Sequence, residues 1–222
     1  MVLLMAHKPA YSTYTLVGIN TAVYALISGG IALPTALDSA QWPERWWTLL
    51  TYAFTHDATM HFAVNMFALL MIGRRLERHY RRLTVLAAYL AGAMAGGASF
   101  VLISALAGKA MTLAGASAAV LTLGAMALMR GERTRLALMK VKVSVRTLAL
   151  AAVALIVLCI AFGPNPGGDV AHLSGIAVGV GIGWCTRRKC TVDALIAKVE
   201  RSGYGSLTEA ERKQLFSMSN QK

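Results

Sequence analysis

Long apolar runs, separated by short polar or basic stretches, set the pattern of this chain. Six stand out, at about residues 12–33, 58–73, 83–106, 112–129, 146–163 and 169–185. A helix that crosses a bilayer needs about 20 apolar residues, roughly 17 to 25, so each run predicts a spanning helix. The second and fourth are short, which is workable where neighbouring protein covers their ends. The first shows no small-residue cleavage site behind a short hydrophobic stretch, and it is read as a retained span. The predicted fold class is therefore an all-α polytopic membrane protein.

After Lys189 the pattern changes. Val192, Leu195, Ile196 and Val199 follow i, i+3, i+4, i+7 spacing, predicting an amphipathic helix over 191–201. Ser202-Gly203-Tyr204-Gly205 reads as a breaker. Ser206-Leu207-Thr208-Glu209 has the form of a capping box opening a second helix to about Phe216. The expected organisation is a membrane domain over 1–189 and a small cytoplasmic helical hairpin over 190–222, the latter a docking or membrane-lying element. Small residues recur every fourth position in three spans: Ala88, Gly92 and Gly96; Ala114, Ala118 and Thr122; Ala171, Gly175, Gly179 and Gly183. Such ribbons let helix backbones approach closely in lipid. The last, one residue from His172, should hold that side chain in a fixed place.

Composition agrees with a membrane chain, at 56% apolar and 14% charged residues, against about a quarter charged in soluble domains. The net charge of +12 lies mostly in alternate connections. Arg74, Arg75, Arg78, Arg81 and Arg82 separate spans two and three. Arg130, Arg133, Arg135, Lys140, Lys142 and Arg146 separate spans four and five, and Arg187, Arg188 and Lys189 follow span six. This is the positive-inside pattern. It places both termini in the cytoplasm and makes the charge a topology signal rather than a nucleic-acid footprint, with anionic lipid a secondary contact. Cys159, Cys185 and Cys190 fit no metal or disulfide framework. The connection from Pro34 to Asp57 is long and carries Trp42, Trp46, Trp47 and Tyr52. It reads either as an interfacial aromatic belt or as a loop beside a site.

With that topology, four polar residues from three spans share one level near the outer face. His61 and Asn65 stand at i and i+4 on span two, Ser117 stands near the start of span four, and His172 near the start of span six. A lone serine in a membrane helix usually bonds a backbone carbonyl, the reading preferred for Ser99, Ser104 and Ser174. His7 and His79 read as solvated, and His56 is open to either interpretation. Ser117 and His172 together point further, because polar residues inside membrane bundles mark function. No ligand set for a metal accompanies His61 and His172, apart from Asp169. Serine needs a base to take its proton, and neutral histidine serves near pH 7. Acyl transfer also needs donors for an oxyanion. His61, the Asn65 amide and backbone N–H groups at the start of span four are candidates.

At these positions the chain resembles the rhomboid family of intramembrane serine proteases over nearly all of residues 12–186. The likeness rests on His61-Phe62-Ala63-Val64-Asn65 (H-x-x-x-N), Gly115-Ala116-Ser117 (most of G-x-S-G) and Ala171-His172-Leu173-Ser174-Gly175 (A-H-x-x-G). Trp47, Phe54, His56, Gly73 and Glu77 fall where family patterns expect them. The resemblance implies a six-helix bundle around a cavity opening outward. It implies a dyad of Ser117 and His172 with no acid and no cofactor. His61, Asn65 and the N–H groups of Ala116 and Ser117 become the oxyanion donors, with Gly115, Ala118 and Gly175 in support. Substrates would be transmembrane proteins cut in or near the membrane. The expected setting is a bacterial inner membrane with the site facing outward. Substrate identity and oligomeric state stay open. The chain departs from the pattern at Ala118 and Thr122 (glycines in the family), Leu121 (an aromatic) and Thr48 (an arginine). Ala118 and Leu121 motivate an alternative, a rhomboid-like protein that binds membrane clients without efficient cleavage. A transporter or channel ranks last, since no inverted repeat or broken-helix pair is evident.

Overall fold

The computed structural model describes residues 10–129, 135–138, 141–144, 166–209, 211–212 and 215–216. Helix α1 (Tyr11–Ser28) leads through a two-residue strand β1 (Leu37–Asp38) and a single-turn helix α2 (Thr48–Thr51) to α3 (Thr59–Leu76) and α4 (Arg82–Ala107). Strand β2 (Thr112–Leu113) precedes α5 (Ser117–Met129). A short antiparallel pair, β3 (Arg135–Leu138) and β4 (Val141–Ser144), follows, and α6 (Pro166–Ser202) comes last. The described residues are all-helical apart from these small strand pairs and short turns. Five predicted spans coincide with α1, α3, α4, α5 and α6, and the one at 146–163 lies outside the described residues. Among the described residues, α4 is the helix long and apolar enough to cross a membrane by itself.

The helix ends have local causes. α1 stops at Ser28, short of the predicted 33, where Gly29 and Gly30 follow and Gly30 takes φ 87°. α4 stops at a left-handed Gly108 whose N–H returns to Ala105, a common glycine stop. α5 starts at Ser117 rather than 112, because Thr112 and Leu113 pair with Asp38 and Leu37 instead. Strands of two residues carry no periodicity to read, so this pairing is absent from the sequence expectation.

The predicted ribbons meet on α5. Methyl groups added at Gly175 and Gly179 of α6 would strike the Ala118 and Thr122 carbonyls, and one at Gly183 would lie 2.6 Å from Met129 Cβ. On α4, a methyl at Gly92 would strike the Thr122 side chain, and one at Gly96 would lie 2.9 Å from Ala118 Cβ. α5 is thus clasped between α4 and α6. Thr122, where the family carries glycine, donates to the carbonyls of Ala118 (2.9 Å) and Gly175 (2.8 Å). Its hydroxyl bridges the two helices. Around this centre the core gathers Leu16, Leu69, Tyr89, Phe100, Leu123 and Met126. Met60, Phe67, Met94, Leu102, Leu106, Val180 and Trp184 face outward.

The two ends of the bundle differ in chemistry. At one end the buried Glu77 accepts from the Ser12 N–H, the Thr13 N–H and the Thr13 hydroxyl, and Ser12 Oγ donates to the Arg82 carbonyl. Tyr80 and Thr186 share a 3.1 Å hydroxyl contact there. This is the end bearing Arg74, Arg75, Arg78, Arg81 and Arg82. At the other end lie the β1–β2 pair and the candidate site.

α6 runs unbroken across the expected boundary at 189–190, so the predicted helix over 191–201 continues the last span. The stretch holds no glycine or proline between Trp184 and Ser202, hence no residue that would interrupt it. The breaker acts at Gly203, φ 73°. The capping box forms two residues later than expected. Thr208 N–H donates to Glu211 (2.8 Å) and Glu211 N–H to the Thr208 hydroxyl (3.3 Å). Ser206 instead closes the short turn Tyr204–Ser206, its N–H and hydroxyl both donating to the Gly203 carbonyl. Lys198 binds Glu211 at 2.7 Å and, with Thr208, holds that carboxyl down at about 2.

Candidate active site

Ser117 is the first residue of α5. It stands where the free N–H groups and positive end of a helix meet solvent or substrate. The approach to it is tied to the long loop after α1. Ser39 N–H and hydroxyl both donate to the Met111 carbonyl, and the Met111 N–H returns to Ser39 Oγ. Gly115 N–H donates to the Tyr52 carbonyl at 3.0 Å, and Ala116 N–H to His56 Nε2 at 3.4 Å. Tyr52 is itself fixed, its hydroxyl donating to the Ala93 carbonyl at 2.8 Å. Between the two interpretations of this loop, the geometry favours the one beside a site. Trp46 is nonetheless two-thirds exposed, at 68%, and Trp47 is tied by its indole N–H to the Pro34 carbonyl. Thr48, in the place of an arginine, is buried and donates to the Arg45 carbonyl.

His172 approaches from α6. Its Nε2 lies 2.6 Å from Ser117 Oγ, a short hydrogen bond. The serine hydroxyl is the donor when the imidazole is neutral with its proton on Nδ1. That second nitrogen is buried and makes no hydrogen bond among the described residues. The nearest charge is Asp169 Oδ1, 3.9 Å away on the preceding turn. The close approach at Gly175 and Ala118 sets the spacing between the two helices. Ala118 is 2% exposed and sits beside Gly96, so the extra methyl has a place prepared by a glycine on α4.

The other predicted residues fall around this pair. His61, on α3, lies over Gly115: a methyl there would come 2.5 Å from its Cε1 and 2.8 Å from its Nε2. Gly115 also has φ 119°, a left-handed conformation that glycine tolerates. His61 Nδ1 faces Asp57 at 3.5 Å. Asn65 is nearly buried, and its amide donates to the His61 carbonyl at 2.9 Å, which takes one of its two N–H groups. The Ala116 N–H, the third expected donor, is engaged by His56.

His56 is the residue that sequence reasoning left undecided. It is buried in the loop before α3, packed edge-on against His61 (5.3 Å) and Phe62 (5.5 Å). Burial, and then the neighbouring His61, push its pKa down from 6.5 to about 4. It stays neutral, and so can accept from Ala116, through the physiological range. Its position five residues before His61 was the available signal. Spacing alone does not reveal that it reaches the segment preceding the serine.

These residues have the parts of an acyl-transfer centre: a hydroxyl on a neutral base, a helix N-terminus, and imidazole and amide donors nearby. Among curated proteins, none matches this chain. A family model described as Rhomboid domain matches residues 43–189, which takes in α3 to α5, the first part of α6 and every residue of the site.

Proposed function

Since the chain belongs to the rhomboid family, and so to a family of membrane proteins that are generally intramembrane serine proteases, we propose that it is an active intramembrane serine endopeptidase with Ser117 as nucleophile and His172 as general base. The observation that carries this reading is the 2.6 Å contact between Ser117 Oγ and His172 Nε2. In the proposed reaction Ser117 Oγ attacks the carbonyl carbon of a peptide bond in a transmembrane substrate. Its proton passes to His172 Nε2. The oxyanion is met by the Ser117 N–H at the start of α5 and by His61 and Asn65. His172 then returns the proton to the leaving nitrogen, and water, activated by the same base, releases the acyl group. Ala116 N–H joins the donors once substrate draws it from His56.

The six-span bundle, the cytoplasmic termini and the outward-facing site in a bacterial inner membrane belong to the same proposal. So does the absence of nucleic-acid partners. The non-cleaving alternative is less well supported, because Ser117 and His172 are both retained and in contact, and Ala118 has room beside Gly96.

The test is cleavage of a transmembrane reporter by purified protein in detergent. Ser117→Ala and His172→Ala are each expected to abolish it. Cleavage that persists in Ser117→Ala would remove the nucleophile assignment. Wild-type protein that binds the reporter yet never cuts it would favour the client-binding reading.

A further inference from the structure

The family resemblance implies a dyad without an acid, yet this chain places a carboxylate beside the outer nitrogen of its base. Asp169 lies in the first turn of α6, three residues before His172. Residues at i and i+3 are neighbours on a helix surface. Asp169 Oδ1 stands 3.9 Å from His172 Nδ1, and both side chains are largely shielded, at 15% and 27% exposure. Nδ1 is buried and makes no hydrogen bond among the described residues. Buried polar groups are paired in the great majority of cases, so this nitrogen has an open position that the carboxylate is close enough to fill.

An acid in the first turn of a helix has a simpler explanation, since it favours the helix dipole. That explanation does not account for the small exposure of Asp169 or for the unpartnered nitrogen beside it. The segment carrying Asp169 is also held in place. A methyl at Gly167 would meet the Phe100 ring at 3.0 Å and the Met111 side chain at 3.1 Å. The start of α6 is thereby wedged between α4 and the strand that leads to Ser117.

We propose that Asp169 is a positioning residue for His172, closing on Nδ1 as the imidazole becomes charged. The inference rests on the proteolytic reading above. When Ser117 Oγ attacks the substrate carbonyl carbon, its proton goes to Nε2 and the imidazole carries a proton on each nitrogen. The Nδ1–H then donates to Asp169 Oδ1, shortening a separation that is loose without substrate, as catalytic contacts often are. The carboxylate takes no proton. It holds the ring with Nε2 toward Ser117 and stabilises the imidazolium until Nε2 protonates the leaving nitrogen. A carboxylate behind a catalytic histidine does this in soluble serine proteases. Here it comes from the histidine's own helix, one turn earlier.

The experiment compares full-length Asp169→Asn, Asp169→Ala and Asp169→Glu with wild type and Ser117→Ala, measuring kcat and KM on a transmembrane reporter and Tm for each. The expected result is a fall in kcat of about tenfold or more in the Asn and Ala variants. KM should stay within about twofold, Tm should be unchanged, and Asp169→Glu should regain most of the rate. Asp169→Ala with wild-type kcat, beside an inactive Ser117→Ala, overturns the role of Asp169 and leaves the protease reading standing. Loss of rate that follows a loss of Tm in the Asn and Ala variants, with no recovery in Asp169→Glu, makes Asp169 a helix cap and also overturns it. Cleavage persisting in Ser117→Ala overturns the protease reading itself.

Discussion

Gly115 meets two demands at once, a positive φ of 119° and an imidazole ring where a side chain would start. A non-glycine residue at such a φ costs on the order of 1–3 kcal/mol, and the His61 ring would have to move as well. Gly115→Ala should therefore lower Tm and nearly abolish cleavage, checked by thermal unfolding and reporter turnover. His56 makes a separate prediction. Its pKa falls from 6.5 unfolded to about 4 folded, so between these values the unfolded chain binds the extra proton. The stability linked to neutral His56 is fully present above about 6.5 and is lost as pH drops through the window toward 4. Tm measured across pH 7 to 4 should fall, and His56→Gln should flatten that slope. A slope unchanged in the variant would assign the acid sensitivity to other groups. At this scale, spacing and charge brought Ser117, His172, His61 and Asn65 to one level. The bond from Ala116 to His56 could not be read, because it joins residues 60 positions apart through backbone in no regular element.

At the scale of elements, polar ties hold α1 to α3 and α5 to α6. Glu77 accepts from two backbone N–H groups at the start of α1 and from the Thr13 hydroxyl, and a methyl at Gly73 would strike that threonine. Hydrogen bonds to a charged group contribute about 1.5–3 kcal/mol. Glu77→Ala, which leaves those donors without an acceptor, should destabilise by about that amount and shift Tm clearly downward, with Ser117 chemistry intact in the folded fraction. Thr122→Val, removing the hydroxyl between Ala118 and Gly175, should be milder, since interhelical bonds in membranes average about 0.6 kcal/mol. Its readout is a small drop in denaturant resistance in detergent. The glycine ribbons were legible as close-approach surfaces, and the structure supplies what they approach. The place of the capping box was not legible, because Ser206 and Thr208 each head a plausible frame. In the structure Ser206 ends the turn Tyr204–Ser206, and Thr208 heads the box.

Across the whole molecule, chemistry and charge separate to opposite ends of one bundle. Ser117, His172, His61 and the β1–β2 pair gather at one end; Glu77, Arg82 and Thr186 gather at the other, with the arginines between α3 and α4. The alternation of basic connections carried this arrangement in the sequence, since it depends on counting charges rather than on knowing contacts. It also sets distances. The helical stretch from His172 to Ser202 spans about 45 Å at 1.5 Å per residue step, so the C-terminal part of α6 lies far from Ser117. A chain ended after Lys189 should keep its cleavage rate in detergent within about twofold, while a large loss would couple the tail to the site. The separation also yields a direct topology test. In a cysteine-free background, Lys109→Cys lies in the connection between α4 and α5 and Ser202→Cys at the end of α6, both exposed positions. A membrane-impermeant maleimide applied to intact spheroplasts should label the first and spare the second. Inverted vesicles should reverse the pattern. Labelling of both from one side would mean that the two ends do not face opposite compartments, and the outward-facing site would fall with them.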